Sequence, residues 1–329
     1  MAIEHYSRVI TLTKGVAMVV TDLHGDWEAY QLYRDCFLDS FRNGEIDYLI
    51  FAGDLIHRES LPQYDKSLEI VLDVLELQKK YPQAVFYLCG NHEFPHIFSI
   101  TLAKGDFIYT PSFEARLKEH RSAIIKLFQS LPFYVRTASG VAITHAGAAS
   151  SMSVVENCQR IFDFDYEEIF SKVDQILHSK DLNVLRNAMA RFSGEPYHVQ
   201  AQSYLAVKGR DDPRYNDLLR GFIASSDPDF GLLWAALFTR CEKEYSLSDY
   251  RIFLKALLEA LSENFVQQNV LVAGHINVKN GYQIVGDSHF RLASGKHAQP
   301  LKSAKYLVFD VSQPIRSAQN LTKNMRSVY

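Results

Sequence analysis

Cysteine is scarce in the 329-residue chain, which has four. Cys36, Cys89, Cys158 and Cys241 are far apart and form no C-x-x-C pair. That argues against a disulfide framework or a structural zinc ribbon and fits a reducing cytoplasm. No sign of charge dominates either: 35 Lys and Arg stand against 38 Asp and Glu, a formal net charge of −3. Such a balance gives no basic field for nucleic acid. The start of the chain has no basic segment followed by a long apolar core, and Val16 to Val20 is too short to span a bilayer or act as a signal sequence. A soluble, cytoplasmic protein with no membrane partner is therefore expected. Internal repeats and low-complexity tracts are absent as well.

The length is enough to bury a substantial core, in one large α/β domain or two smaller ones. Val16 to Val20 is a continuous apolar run ending at Asp22, the pattern of a strand buried on both faces. Asp26 can cap a helix in which Tyr30, Tyr33, Phe37 and Phe41 recur at helical spacing before Asn43-Gly44 stops it. A strand from Tyr48 to Phe51, a helix through Leu68 to Leu77 and a strand from Ala84 to Cys89 follow. This β-α-β-α-β alternation predicts a parallel sheet whose chemistry lies beyond the carboxyl ends of its strands. Further on, the pattern predicts an amphipathic helix over 113–131, a hairpin about Ala138-Ser139-Gly140, and a polar, mostly helical stretch over 150–228. That stretch reads as an insertion or cap within one domain spanning 1–329. A helix from Tyr250 to Leu261 and strands at 270–273, 281–285 and 306–310 complete the reading.

The chemistry gathers around Phe51-Ala52-Gly53-Asp54, where an apolar strand runs into a glycine and then a carboxylate. A carboxylate on such a turn can offer both oxygens outward and bridge two metal ions. Asp22-Leu23-His24-Gly25-Asp26 lies upstream, and Gly90-Asn91-His92-Glu93, Thr144-His145-Ala146-Gly147 and Ala273-Gly274-His275 lie downstream, each after an apolar run. Asp22, His24, Asp54, Asn91, His145 and His275 mix oxygen and imidazole donors, which suits manganese, iron or zinc better than calcium. Asp22 and His24 alternate along an extended segment, so a twist at Gly25 is needed for both to face one ion. Two ions about 3.5–4 Å apart can hold a hydroxide between them and neutralise the attacking and leaving oxygens of an in-line displacement at phosphorus.

These motifs resemble the calcineurin-like metallophosphoesterases, and within them the serine/threonine phosphoprotein phosphatase branch. That family reads Asp-x-His-Gly, Gly-Asp-x-x-Asp-Arg-Gly, Gly-Asn-His-Glu, His-Gly-Gly and a late His. Here the matching residues are Asp22 to Gly25, Gly53-Asp54-Leu55-Ile56-His57-Arg58-Glu59, Gly90 to Glu93, His145-Ala146-Gly147 and His275. The resemblance implies a β-sandwich of two mixed sheets flanked by helices, and two divalent or trivalent ions (manganese, iron or zinc). It implies that Asp22, His24 and Asp54 bind the first ion and that Asp54, Asn91, His145 and His275 bind the second. It further implies His92 as the acid that protonates the leaving alkoxide, with Arg58, Arg240 and Asn91 contacting the substrate.

Three departures stand out. His57 replaces the family's aspartate that orients the acid histidine. The second phosphate arginine has only Arg240 as a candidate. The segment Gly286 to His297 does not match the family's peptide-groove loop, and reads either as a polar turn or as a source of Lys296 or His297 for substrate binding. Cys36 and Arg42 have the spacing of cysteine-dependent phosphatases, but they lie in an amphipathic helix whose bonds occupy the backbone N–H groups a phosphate cradle needs. His5, His120, His178 and His198 are read as surface or packing residues, and Trp234 as core. The expected function is a dinuclear phosphomonoesterase acting on phosphoserine or phosphothreonine in proteins. A diadenosine tetraphosphatase-like hydrolase of nucleotide polyphosphates and a weakly active phosphatase-like binding module are the alternatives.

Overall fold

Val16–Val20 forms a strand, and its side chains alternate between two buried faces. Ala17 and Val19 enter a core shared with Val135, Ile143, Val272 and Phe290. On the opposite face of the next strand, Phe51 stacks on Tyr30 of the helix Trp27–Arg42, ring centroids 5.8 Å apart. One face meets a second sheet and the other a helix, so the run has no place for a polar side chain.

This is a computed structural model, and it describes residues 6–58, 62–105 and 107–329. His5 and Glu59 lie outside them. One sheet has five strands, in the order Met325–Arg326, Tyr306–Asp310, Val16–Val20, Tyr48–Phe51, Val85–Tyr87. The last three run parallel, as the alternation predicts, and Asp26 caps the first crossover helix through Ala29 N at 3.1 Å. The other sheet has six, in the order Val9–Leu12, Tyr134–Thr137, Val141–Thr144, Val270–Ala273, His289–Leu292, Tyr282–Val285. Val141–Thr144 and His289–Leu292 flank Val270–Ala273 in parallel, and the hairpin at 138–140 joins an antiparallel pair. The two sheets share one apolar core, so the expected sandwich of mixed sheets is present.

Three local expectations are corrected. The segment 286–297 is not a loop throughout, because His289–Leu292 is an interior strand of the six-stranded sheet. Its polar residues hid it. His289 and Arg291 are fully buried, with His289 Nδ1 2.9 Å from the Tyr250 hydroxyl and the Arg291 Nη atoms donating to Glu242 and Gln283 at 2.8 and 2.9 Å. The helix expected over 113–131 is two, Thr110–Leu117 and Arg121–Ser130, separated by a short 3-10 turn. Trp234 is 39 % exposed rather than core. It stacks on Phe238, four residues on, at 4.0 Å.

The chain divides into two compact units, Met1–Asn91 with Leu131–Phe164 and Trp234–Tyr329, and His92–Ser130 with Asp165–Leu233. The five- and six-stranded sheets belong to the first. The second is mainly helical, with Phe98 packed among the rings of Tyr166, Phe170 and Phe230. A further apolar cluster in it centres on Tyr197, Leu205 and Leu219. Among the described residues, no helix is long and apolar enough to cross a membrane.

Within the second unit, Glu114 is a buried charge hub. Its carboxylate meets His96 Nδ1 at 2.7 Å, Arg121 Nε at 3.0 Å and Arg214 Nη2 at 2.6 Å. Burial opposes ionisation, but the hydrogen bond and charge of His96 and the two guanidinium charges hold the carboxyl at about 2, below its usual 4.5. A depressed carboxylate stabilises the fold above its unfolded pKa, and that stabilisation is lost as pH falls through the folded one. Urea unfolding should therefore show a contribution of roughly 3 kcal/mol from this group at neutral pH, fading between about pH 4.5 and pH 2. Glu114→Gln should remove most of it and flatten that acid limb. An unchanged acid limb in the variant would rule the network out as its source.

Candidate metal centre

Every candidate ligand lies just past the carboxyl end of a strand. Asp22 and His24 follow Val16–Val20, Asp54 follows Tyr48–Phe51, and Asn91 follows Val85–Tyr87. His145 follows Val141–Thr144, and His275 follows Val270–Ala273. Parallel pairing within each sheet points these ends the same way.

The backbone there is unusual. Asp22, His24, Asp54, His57 and His275 have φ of 51°, 46°, 54°, 71° and 68°. A left-handed conformation at a residue other than glycine costs about 1–3 kcal/mol and persists only where surrounding structure imposes it. The imposition is visible: Asp22 N donates to Gly53 O at 3.3 Å, His24 N to Asp54 O at 2.9 Å and Gly25 N to Leu55 O at 2.8 Å. The twist expected at Gly25 is present, with φ 69°, and it is part of a longer turn that begins at Asp22, because these bonds bind one strand-end loop to the next. Thr21 ties in the other sheet through Ser294 Oγ and Leu292 O, both at 3.1 Å.

Two glycines are required by close approach. A Cβ on Gly53, which also has φ +88°, would stand 2.7 Å from His145 Nδ1 and 2.8 Å from Gly90 Cα. A Cβ on Gly274 would overlap Asp22 Oδ2. The Asp22 carboxylate occupies that space and accepts from His275 N with its two oxygens at 2.9 and 3.1 Å.

At the centre, the 1 % exposed Asp54 turns Oδ1 toward His145 Nε2 at 3.5 Å and Oδ2 toward His24 Nε2 at 3.8 Å. Each ring is oriented by its other nitrogen, His145 Nδ1 on Ala52 O at 3.0 Å and His24 Nδ1 on Ile56 O at 3.3 Å. A fixed second nitrogen of this kind sets tautomer and aim in metal-binding histidines. His145 Nε2 also lies 2.8 Å from Asn91 Oδ1 and 3.1 Å from His275 Nδ1. Asp54, His145 and His275 each place a donor atom within 4.8 Å of the others, and so do Asp22, His24 and His297.

Burial disfavours the Asp22 carboxylate, yet the charges of His297 and His145 hold it at about 2. Burial and the neighbouring His145 keep the His275 imidazole well below its ordinary pKa, in the neutral form a ligand must have. His275 Nε2 is buried with no hydrogen-bond partner among the described residues. Carboxylate oxygen, amide oxygen and neutral imidazole around such orphaned atoms form a donor set that fits divalent transition metals.

Arg58 is about one-quarter exposed, with Nη2 3.8 Å from Asp26 Oδ2. Arg240 is exposed, and its charge contributes to lowering the His275 pKa. His57 is buried and donates its backbone N–H to Ser67 Oγ at 2.8 Å. His92 opens the second unit, buried with its ring edge-on to Tyr109 at 4.9 Å. The sequence suggests His297 for substrate binding alone. No motif surrounds it, and only the fold reveals its place beside Asp22.

A family model described as calcineurin-like phosphoesterase matches residues 16–230, more than half of the chain. No curated protein matches significantly. Among solved structures, a protein serine/threonine phosphatase from Saccharomyces cerevisiae aligns at 14 % identity and TM-score 0.47, over 92 % of this chain and 76 % of its own. A cold-active protein-tyrosine phosphatase of a psychrophilic Shewanella species aligns at 15 % identity and TM-score 0.42, over 98 % and 82 %. A metallophosphoesterase from Sphaerobacter thermophilus aligns at 11 % and 0.34, over 94 % and 91 %.

Gly274→Ala should force the Asp22 carboxylate out of its position while leaving the far-ultraviolet circular dichroism intact. Added Mn²⁺ should raise the melting temperature of the parent, equivalent to about 2.7 kcal/mol at 100 times the Kd, and raise that of the variant much less. Equal metal-dependent shifts would show that the contact does not matter to the site.

Proposed function

We propose that this chain, which belongs to the calcineurin-like phosphoesterases, a family of metal-dependent hydrolases, is a dinuclear phosphomonoesterase whose substrates are phosphoserine and phosphothreonine in proteins. The observation that carries the reading is the Asp54 carboxylate, with one oxygen facing His145 and the other facing His24. Asp22 and His24 would hold one ion with it, and Asn91, His145 and His275 the other. Bound there, a pair of cations supplies Lewis-acid charge and water activation for displacement at phosphorus.

The chain's own groups do the rest. Ala52 O and Ile56 O hold the His145 and His24 rings with Nε2 toward Asp54, so the donors need little rearrangement on loading. Arg58 offers a fork of donors to the phosphate oxygens, a geometry a lysine does not reproduce. Arg240 adds a second positive charge, and Asn91 a polar contact. His92 carries the proton that the leaving alkoxide takes. An imidazole, His57, stands where the family has an aspartate. The motif resemblance to the serine/threonine phosphatase branch supports the protein substrate.

Hydrolysis of p-nitrophenyl phosphate with added Mn²⁺ tests the enzyme reading. Asp54→Asn should abolish metal-dependent turnover, and His92→Asn should lower kcat by about 100-fold or more. Equal, metal-independent background from the parent and both variants would remove the enzyme and leave a phosphate-binding module. Phosphopeptides should be hydrolysed in preference to dinucleoside polyphosphates. The reverse order would replace the protein substrate with a nucleotide.

A further inference from the structure

His297 reaches the first cluster from a part of the chain that carries none of the recognised motifs. Its position is anchored by backbone. Its carbonyl accepts from Val278 N at 2.9 Å, and the next two residues form the strand Ala298–Gln299, paired in parallel with Val278–Lys279. The ring stands 4.8 Å from that of His24, and Nδ1 is 3.3 Å from Asp22 Oδ1.

At that separation an imidazole and a carboxylate would ordinarily share a hydrogen bond. Here Nδ1 is buried and has no hydrogen-bond partner among the described residues, and the side chain is only 13 % exposed. An imidazole nitrogen and a carboxylate oxygen thus lie side by side, largely shielded from water, at the separation of an ion pair. A shared cation between them fits that arrangement. Asp22, His24 and His297 also bring one donor atom each within 4.8 Å of one another, a spacing that admits a single ion.

Resting on the dinuclear reading above, we infer that His297 Nδ1 is a further protein ligand of the first ion. Asp22, His24 and Asp54 alone would give that ion three protein donors, against four for its neighbour. His297 makes the two spheres equal in number and leaves one position fewer on the first ion for water or substrate. The first ion is then the more firmly held, and the second sphere is untouched by changes at 297.

The test uses the full-length protein, stripped of metal, and compares the parent with His297→Ala, His297→Cys and Asp54→Asn. In calorimetric titration with Mn²⁺ the parent should bind two ions. His297→Ala should bind one as the parent does and the other about 100-fold more weakly, the upper end of what loss of even an outer-sphere partner costs. Titrating His297→Cys with Cd²⁺ should produce a sulfur-to-cadmium charge-transfer band that the parent, with its four native cysteines, lacks. Such a band reports direct coordination, which a packing or substrate-binding role for His297 would not yield. Two ions bound with parental affinity by His297→Ala, together with no new band in His297→Cys, would overturn the inference and leave the dinuclear reading standing. A parent that binds no pair of ions would overturn both.

Discussion

Two carboxylates buried at the strand ends set the terms for everything around them. Asp22 and Asp54 are at most 1 % exposed, and an ionised carboxylate withdrawn from water costs several kcal/mol unless it is paired and hydrogen-bonded. The fold answers with the His275 N–H on both oxygens of Asp22 and with imidazoles on either side of Asp54. Imidazoles kept neutral are weak counter-charges, as the depressed His275 shows. Cations are the stronger answer, and their binding free energy becomes folding free energy because the unfolded chain has no such site.

The same constraint explains where the backbone strain lies. Of the described non-glycine residues with positive φ, Asp22, His24, Asp54, His57 and His275 all belong to the motif-bearing loops. Asp and His enter the left-handed region more readily than most residue types, so the side chains needed as ligands are also among those best able to make the turn. What remains of the cost is met by the sandwich: burying one Val or Ile side chain contributes roughly 1.5–3 kcal/mol, and Val19, Ile50, Ile143 and Val272, on strands that lead into these loops, lie in its core.

Much of this was legible before any coordinates. Apolar runs ending in Asp or His marked the strands Val16–Val20, Tyr48–Phe51 and Val270–Ala273 and the residues that follow them. The order of motifs pointed to the sandwich. What escaped notice shares one cause, partners far away in sequence. His289–Leu292 failed to read as a strand because His289 and Arg291 break its apolar pattern, and the groups that make their burial tolerable sit on Tyr250, Glu242 and Gln283. His297 escaped because its neighbours Asp22 and His24 are at the opposite end of the chain. Trp234 reads as core for another reason: a helix apolar on most sides gives no sign of which side faces out, and Trp234, stacked on Phe238, lies on the exposed one.

The division of the chain carries a last consequence. The proposed ligands Asp22, His24, Asp54, Asn91, His145, His275 and His297 all fall within the first unit. The second unit is stabilised by a different set, Glu114 with His96, Arg121 and Arg214, which shares no member with the ligands. His92 sits where the division falls, one residue after a metal-ligand candidate yet the first residue of the helical unit. Fold and metal chemistry leave the choice among phosphoesters open, since one scaffold serves many substrates. Discrimination must then come from residues outside the proposed ligand set, and the two units can vary in sequence under separate constraints: the geometry of the proposed ligands in one, its own buried charges in the other.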